Sequence, residues 1–138
     1  MHLLLALNLP AEERLVPAAR RAMAGFLLAA GVAPDTVDDV VLALDEACSN
    51  VLQHAFPSGN PGSYELRADF RPEEVVIEVA DHGVGFDAMG WRSATTLDLA
   101  GRGLDIMRRV MTSVEVESPR QQGGTRLRLR KRLVAVHE

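Results

Sequence analysis

Residues 64–81 read YELRADFRPEEVVIEVAD. Tyr64 to Phe70 alternates apolar and polar side chains, Arg71-Pro72-Glu73 has the composition of a turn, and Glu74 to Ala80 alternates again. Two alternating runs joined by a tight turn predict a β-hairpin with one wet and one buried side. Upstream, Val37, Val40, Val41, Leu44, Ala47, Cys48, Val51, Leu52 and Ala55 recur at threes and fours, which predicts an amphipathic helix opened by Pro34 and Asp35. Before it, Ala11 to Ala30 predicts another helix, apolar along Leu15, Ala18, Ala19, Ala22, Met23, Phe26 and Leu27 and stopped by Gly31. Leu3 to Asn8 predicts a first strand ended by Pro10. Downstream, Leu104 to Met111 predicts a helix starting directly after Gly101 and Gly103, and Ser113–Glu117 and Thr125–Lys131 predict two further strands. Strands that run together argue for an α+β domain. The expected form is a two-layer α/β sandwich, a mixed and mainly antiparallel sheet with helices on one face, filling residues 1–138 as a single domain.

The chain has 138 residues, 47% apolar and 25% charged, the profile of a soluble globular domain. A net charge of −4 with 4% aromatics argues against nucleic-acid binding, by phosphate neutralisation or by base stacking. The single cysteine, Cys48, excludes an internal disulfide and a cysteine metal cluster, and its register reads as a small buried hydrophobe. The opening MHLLLALNLP is too short to span a bilayer and has no basic flank, so the expected location is the cytoplasm. Every basic side chain except Lys131 is an arginine.

Three constellations carry chemistry. Glu46, Asn50 and His54 lie four apart, on one face of the Val37–Ala55 helix, with Asp39 and Ala43 along the same side. Spacing alone reads this as a solvated face; functionally, it offers two oxygens to a cation or a reacting hydroxyl. Asp81-His82-Gly83-Val84-Gly85 ends a strand. It reads equally as a turn, or as a carboxylate that accepts from an exocyclic amine beside glycines that admit a flat ring. Gly101-Arg102-Gly103-Leu104 opens a helix, either as a plain glycine entry or as a cradle for phosphate. No GxxxxGK[ST] P-loop occurs.

Together and in this order, these stretches resemble the GHKL ATPase superfamily and its Bergerat, histidine-kinase-like nucleotide fold. Residues 43–56 (ALDEACSNVLQHAF) resemble the N box, 80–87 (ADHGVGFD) the G1 box, 101–111 (GRGLDIMRRVM) the G2 box, and Gly123-Gly124-Thr125 the closing GT strand. Within the superfamily the chain is most similar to the stand-alone bacterial serine/threonine kinases that act as anti-sigma factors.

The resemblance implies Glu46 as general base, Asn50 as the Mg²⁺ ligand, and Asp81 as the reader of adenine, with Gly83 and Gly85 beside the ring. It implies Gly101, Arg102, Gly103 and Leu104 around the phosphates and Thr125 near the adenine. His54 has a family counterpart near the phosphates. Residues 86–100, with Trp91, would form a lid. The implied cofactors are ATP and Mg²⁺, and the implied substrate is an anti-anti-sigma (STAS-like) protein. A sigma factor would be a further partner, and the apolar first strand an edge for a homodimer. The rival expectation is a nucleotide-dependent binding module without kinase activity; retention of Glu46 favours the kinase.

Overall fold

The computed structural model describes residues 1–54, 62–81, 99–117 and 124–133, and for His54 and residues 99–102 the backbone alone. Its elements are β1 (Leu3–Pro10), a 3₁₀ turn (Glu13–Leu15), α1 (Val16–Ala29), α2 (Pro34–His54), β2 (Ser63–Arg71), β3 (Glu74–Asp81), α3 (Leu99–Val110), β4 (Ser113–Glu117) and β5 (Arg126–Arg132). The strands form one sheet in the order β1-β2-β3-β5-β4. Every neighbouring pair is antiparallel, so the sheet expected to be mixed has no parallel pair among the described residues.

The sheet has one dry face and one wet face. Tyr64, Leu66, Ala68 and Phe70 of β2, Val75, Ile77 and Val79 of β3, and Leu127 and Leu129 of β5 are buried, and they join one core with α1, α2 and α3. The opposite face carries charge in cross-strand pairs: Arg126 with Glu117 (3.2 Å) and Glu78 (3.9 Å), Arg128 with Glu78 (3.9 Å), and Arg130 with Glu74. Such half-exposed pairs contribute about 0–1 kcal/mol each, so the core carries the stability.

The first helix begins later than the sequence predicts. Residues 13–15 make a 3₁₀ turn, and the α-helix starts at Val16 with Pro17 in its first turn, where a missing N–H costs nothing. Its end is a Schellman motif. The Val32 N–H donates to the Leu27 carbonyl and the Gly31 N–H to that of Leu28, both at 3.0 Å, while Gly31 takes φ +92°.

The central helix, α2, packs against both α1 and α3. Val37, Val40, Leu44, Ala47, Cys48 and Val51 are buried as its periodicity predicts. Ala43, read as part of a solvated face, is fully buried as well. The third helix begins at Leu99, not Leu104, so Gly101 and Gly103 lie inside it. Among the described residues, no helix is long and apolar enough to cross a membrane.

Candidate functional site

The face of α2 that bears Glu46 and Asn50 lies beneath α3. Asn50 is 5% exposed, and its Nδ2 finds no hydrogen-bond partner among the described residues. Glu46 is half-buried; burial, and then the neighbouring Asp45 carboxylate, raise its pKa above the usual glutamate value. A raised pKa makes Glu46 a stronger base than an exposed glutamate.

Gly103 closes this corner. A Cβ there would lie 3.0 Å from Glu46 Oε2, 3.6 Å from Asn50 Nδ2 and 3.8 Å from Asn50 Oδ1. The glycine therefore lets α3 approach the carboxylate and the amide to contact distance. This differs from a glycine at a helix entry. With α3 starting at Leu99, Gly103 lies one turn inside the helix. Leu104 is 7% exposed and packs in the core, so its side chain anchors α3.

A second corner lies at the ends of β3 and β5. Asp81 is fully buried and Thr125 is 4% exposed. The Asp81 N–H donates to the Thr125 carbonyl at 2.9 Å, and the Thr125 N–H donates to Asp81 Oδ1 at 3.3 Å. Gly124 makes the crossing possible. It adopts φ +83°, and a Cβ there would fall 2.1 Å from the Asp81 carbonyl oxygen and 2.7 Å from its Oδ1. Sequence reading placed Gly124 in the closing GT stretch and missed this contact; the Gly-Gly pair before a strand was the available signal.

The structure thus brings Glu46, Asn50 and Gly103 together, and Asp81 and Thr125 together. Gly83, Gly85 and the lid residues 86–98, Trp91 included, lie outside the described residues, as do the side chains of Arg102 and His54. Among the described residues, no cluster of three or more His, Cys, Asp or Glu could hold a metal.

Beneath the site, Tyr64 pairs with Asp81 in the sheet register, and its buried hydroxyl faces the Cys48 thiol. Burial pushes that thiol up to about 11, outweighing the lowering influence of the neighbouring tyrosine hydroxyl, and burial raises the tyrosine as well. Cys48 is a packed core residue, as its register predicts.

Known proteins share this fold. The family model of the histidine kinase-like ATPase domain matches residues 9–131. A serine-protein kinase RsbW of Bacillus velezensis is 30% identical over 81% of this chain and 76% of its own length. An anti-sigma F factor of Clostridium botulinum is 29% identical over 83% of each. Among solved structures, the RsbU and RsbW domains of Rv1364c from Mycobacterium tuberculosis superpose with a TM-score of 0.73 at 19% identity, over 99% of this chain and 34% of that one. That last likeness speaks for the fold alone. With the N-box, G1, G2 and GT stretches in order and the family model spanning nearly all of it, the chain belongs to the histidine kinase-like ATPase domain family.

Proposed function

We propose that the chain is an ATP-dependent protein serine/threonine kinase that acts as an anti-sigma factor in the cytoplasm. Its substrate is a small STAS-like antagonist protein, phosphorylated on serine or threonine, and its second partner is a sigma factor. Relatives named serine-protein kinase and anti-sigma F factor support the reading. The observation that carries it is the meeting of Glu46, Asn50 and Gly103, a base and an oxygen ligand pressed under a side-chain-free turn of α3.

Phosphoryl transfer asks for positioning and charge neutralisation. Glu46 accepts the proton of the substrate hydroxyl as its oxygen bonds to the γ-phosphorus and the bond to the ADP oxygen breaks. Burial raises its basicity toward the working pH, which suits a general base. The buried Asn50 amide, with an unmatched polar atom, fits a group bound beside it, and Asn50 Oδ1 would hold Mg²⁺, which neutralises phosphate charge. Asp81 and Thr125 would read the adenine with Gly83 and Gly85, and Gly101, Arg102, Gly103 and Leu104 would lie around the phosphates.

Glu46→Gln tests the assignment, with γ-labelled ATP and a STAS-domain protein from the same genome. The wild type is expected to label the partner on serine or threonine, and the variant to bind ATP equally while transferring at least about a hundredfold more slowly. A wild type that binds ATP yet labels no partner would move the reading to a nucleotide-dependent binding module.

A further inference from the structure

The chain's single lysine occupies a position unlike that of any described arginine. On β5, Arg126, Arg128 and Arg130 point to the wet face and pair with glutamates. Leu127 and Leu129 point to the core, and Lys131 follows them at the next inward position, opposite the buried Val75. The lysine stem thus extends an apolar stripe, and its ammonium emerges between two helices. There Nζ donates to the carbonyl of Val110, the last residue of α3, and to Asp39 Oδ2 of α2 at 3.2 Å. Its side chain is only 19% exposed.

The surrounding backbone makes this a latch. The Thr112 N–H donates to the Arg130 carbonyl and the Arg132 N–H to Thr112 Oγ1, both at 2.8 Å, while the Met111 N–H donates to Met107 at 2.9 Å. Arg130 and Arg132 thus both hold Thr112, just past the helix, and Lys131 between them holds Val110, its last residue. A cation at a helix C-terminus also meets the negative end of the helix dipole. A compact ammonium with three donors can serve a carbonyl and a carboxylate on different helices, where a planar guanidinium is directed along a fixed fork.

The far end of the same helix carries Gly103 against Glu46 and Asn50. A helix is stiff over this length, so its fixed end sets the position of the other. We propose that Lys131 is a positioning residue for the reaction: by fastening the end of α3 to α2 and β5, it holds Gly103 in register over Glu46 and Asn50. This rests on the kinase reading for its consequence, though not for the latch itself.

The test uses Lys131→Met, which keeps the stem and removes the donors, with Asp39→Asn as a milder second variant. Hydrogen exchange on the protein without nucleotide should show faster exchange through residues 103–110 of α3, with β2 and β3 unchanged. Since a 1 Å misplacement can cost about 100-fold, a smaller shift of α3 should raise KM for ATP or lower kcat/KM by about tenfold in Lys131→Met. Asp39→Asn should have less effect, because the bond to Val110 persists. Unchanged α3 exchange, or loss spread evenly over the whole chain, would overturn the latch. Faster α3 exchange with unaltered ATP affinity and turnover would overturn the positioning role. A wild type that does not bind ATP would instead sink the kinase reading, while the exchange data still decide the latch.

Discussion

Gly103→Ala pits stability against function. Alanine is favoured over glycine inside a helix by about 1 kcal/mol, and α3 is helical from Leu99 to Val110. The new methyl would stand 3.0 Å from Glu46 Oε2, so the carboxylate must give way by a few tenths of an ångström. The obstructing atom is the end of a flexible side chain, half-exposed, so that shift costs less than a backbone clash would. Net stability should therefore stay level or rise by up to about 1 kcal/mol, read as a Tm gain of up to about 5 °C. The same displacement moves the proposed base out of line, and transfer should fall about tenfold or more, since 1 Å of misplacement can cost about 100-fold. Thermal unfolding and single-turnover transfer from labelled ATP on the same preparation measure both effects. Unimpaired transfer would mean that the contact of Gly103 with Glu46 has no part in the chemistry. A loss of stability beyond about 1 kcal/mol would mean that the corner is rigid and the propensity argument misapplied.

Gly124→Ala should be the harsher change, because a left-handed φ and a Cβ 2.1 Å from the Asp81 carbonyl leave nothing flexible to yield; urea unfolding should show a loss of about 3 kcal/mol or more. Glu46→Gln has a stability signature besides its kinetic one. The folded-state pKa of Glu46 is raised, so the fold binds more protons than the unfolded chain just above the ordinary glutamate pKa, and wild-type stability falls as pH rises through that window. The Tm of the glutamine variant relative to wild type should accordingly increase from about pH 4 upward, and a pH-independent difference would contradict the burial of the carboxylate. Cys48, at about 11, should react with a thiol reagent at pH 8 about a thousandfold more slowly than its thiolate would, until denaturant is added. With Cys48 and Tyr64 both raised, stability should decline as pH climbs from about 9 toward 11; a flat alkaline profile would argue against their burial.

The sheet was readable because β2, β3 and β5 obey period two over a core on one side only, and the α2 stripe because the sheet takes one whole face of that helix. Reading stopped where an element has two partners. The Asp39–Ala43–Glu46–Asn50 side of α2 looks polar enough for solvent, yet α3 lies over it, and Ala43 and Asn50 are buried. The α3 boundary failed for a related reason. Glycines at 101 and 103 are poor helix formers, so propensity puts the start after them, while α3 packs over α2 with Gly103 against Glu46 and Asn50. The resemblance to a family supplied the grouping of the Glu46–Asn50 face with the GRGL stretch, which periodicity alone left as two separate weak signals. Lys131 was beyond reach in sequence, because its significance lies in distances to Asp39 and Val110, from which the chain separates it widely.

The bonds between Asp81 and Thr125 close a long excursion of the chain, the one that leaves β3, makes α3 and β4, and returns as β5. A loop anchored at its mouth pays for added length only logarithmically, about 0.6 kcal/mol per doubling. Insertions or deletions between Asp81 and Leu99 should therefore leave the sheet intact. The scaffold is in this sense decoupled from the length of that stretch, and relatives could differ there without renegotiating the core.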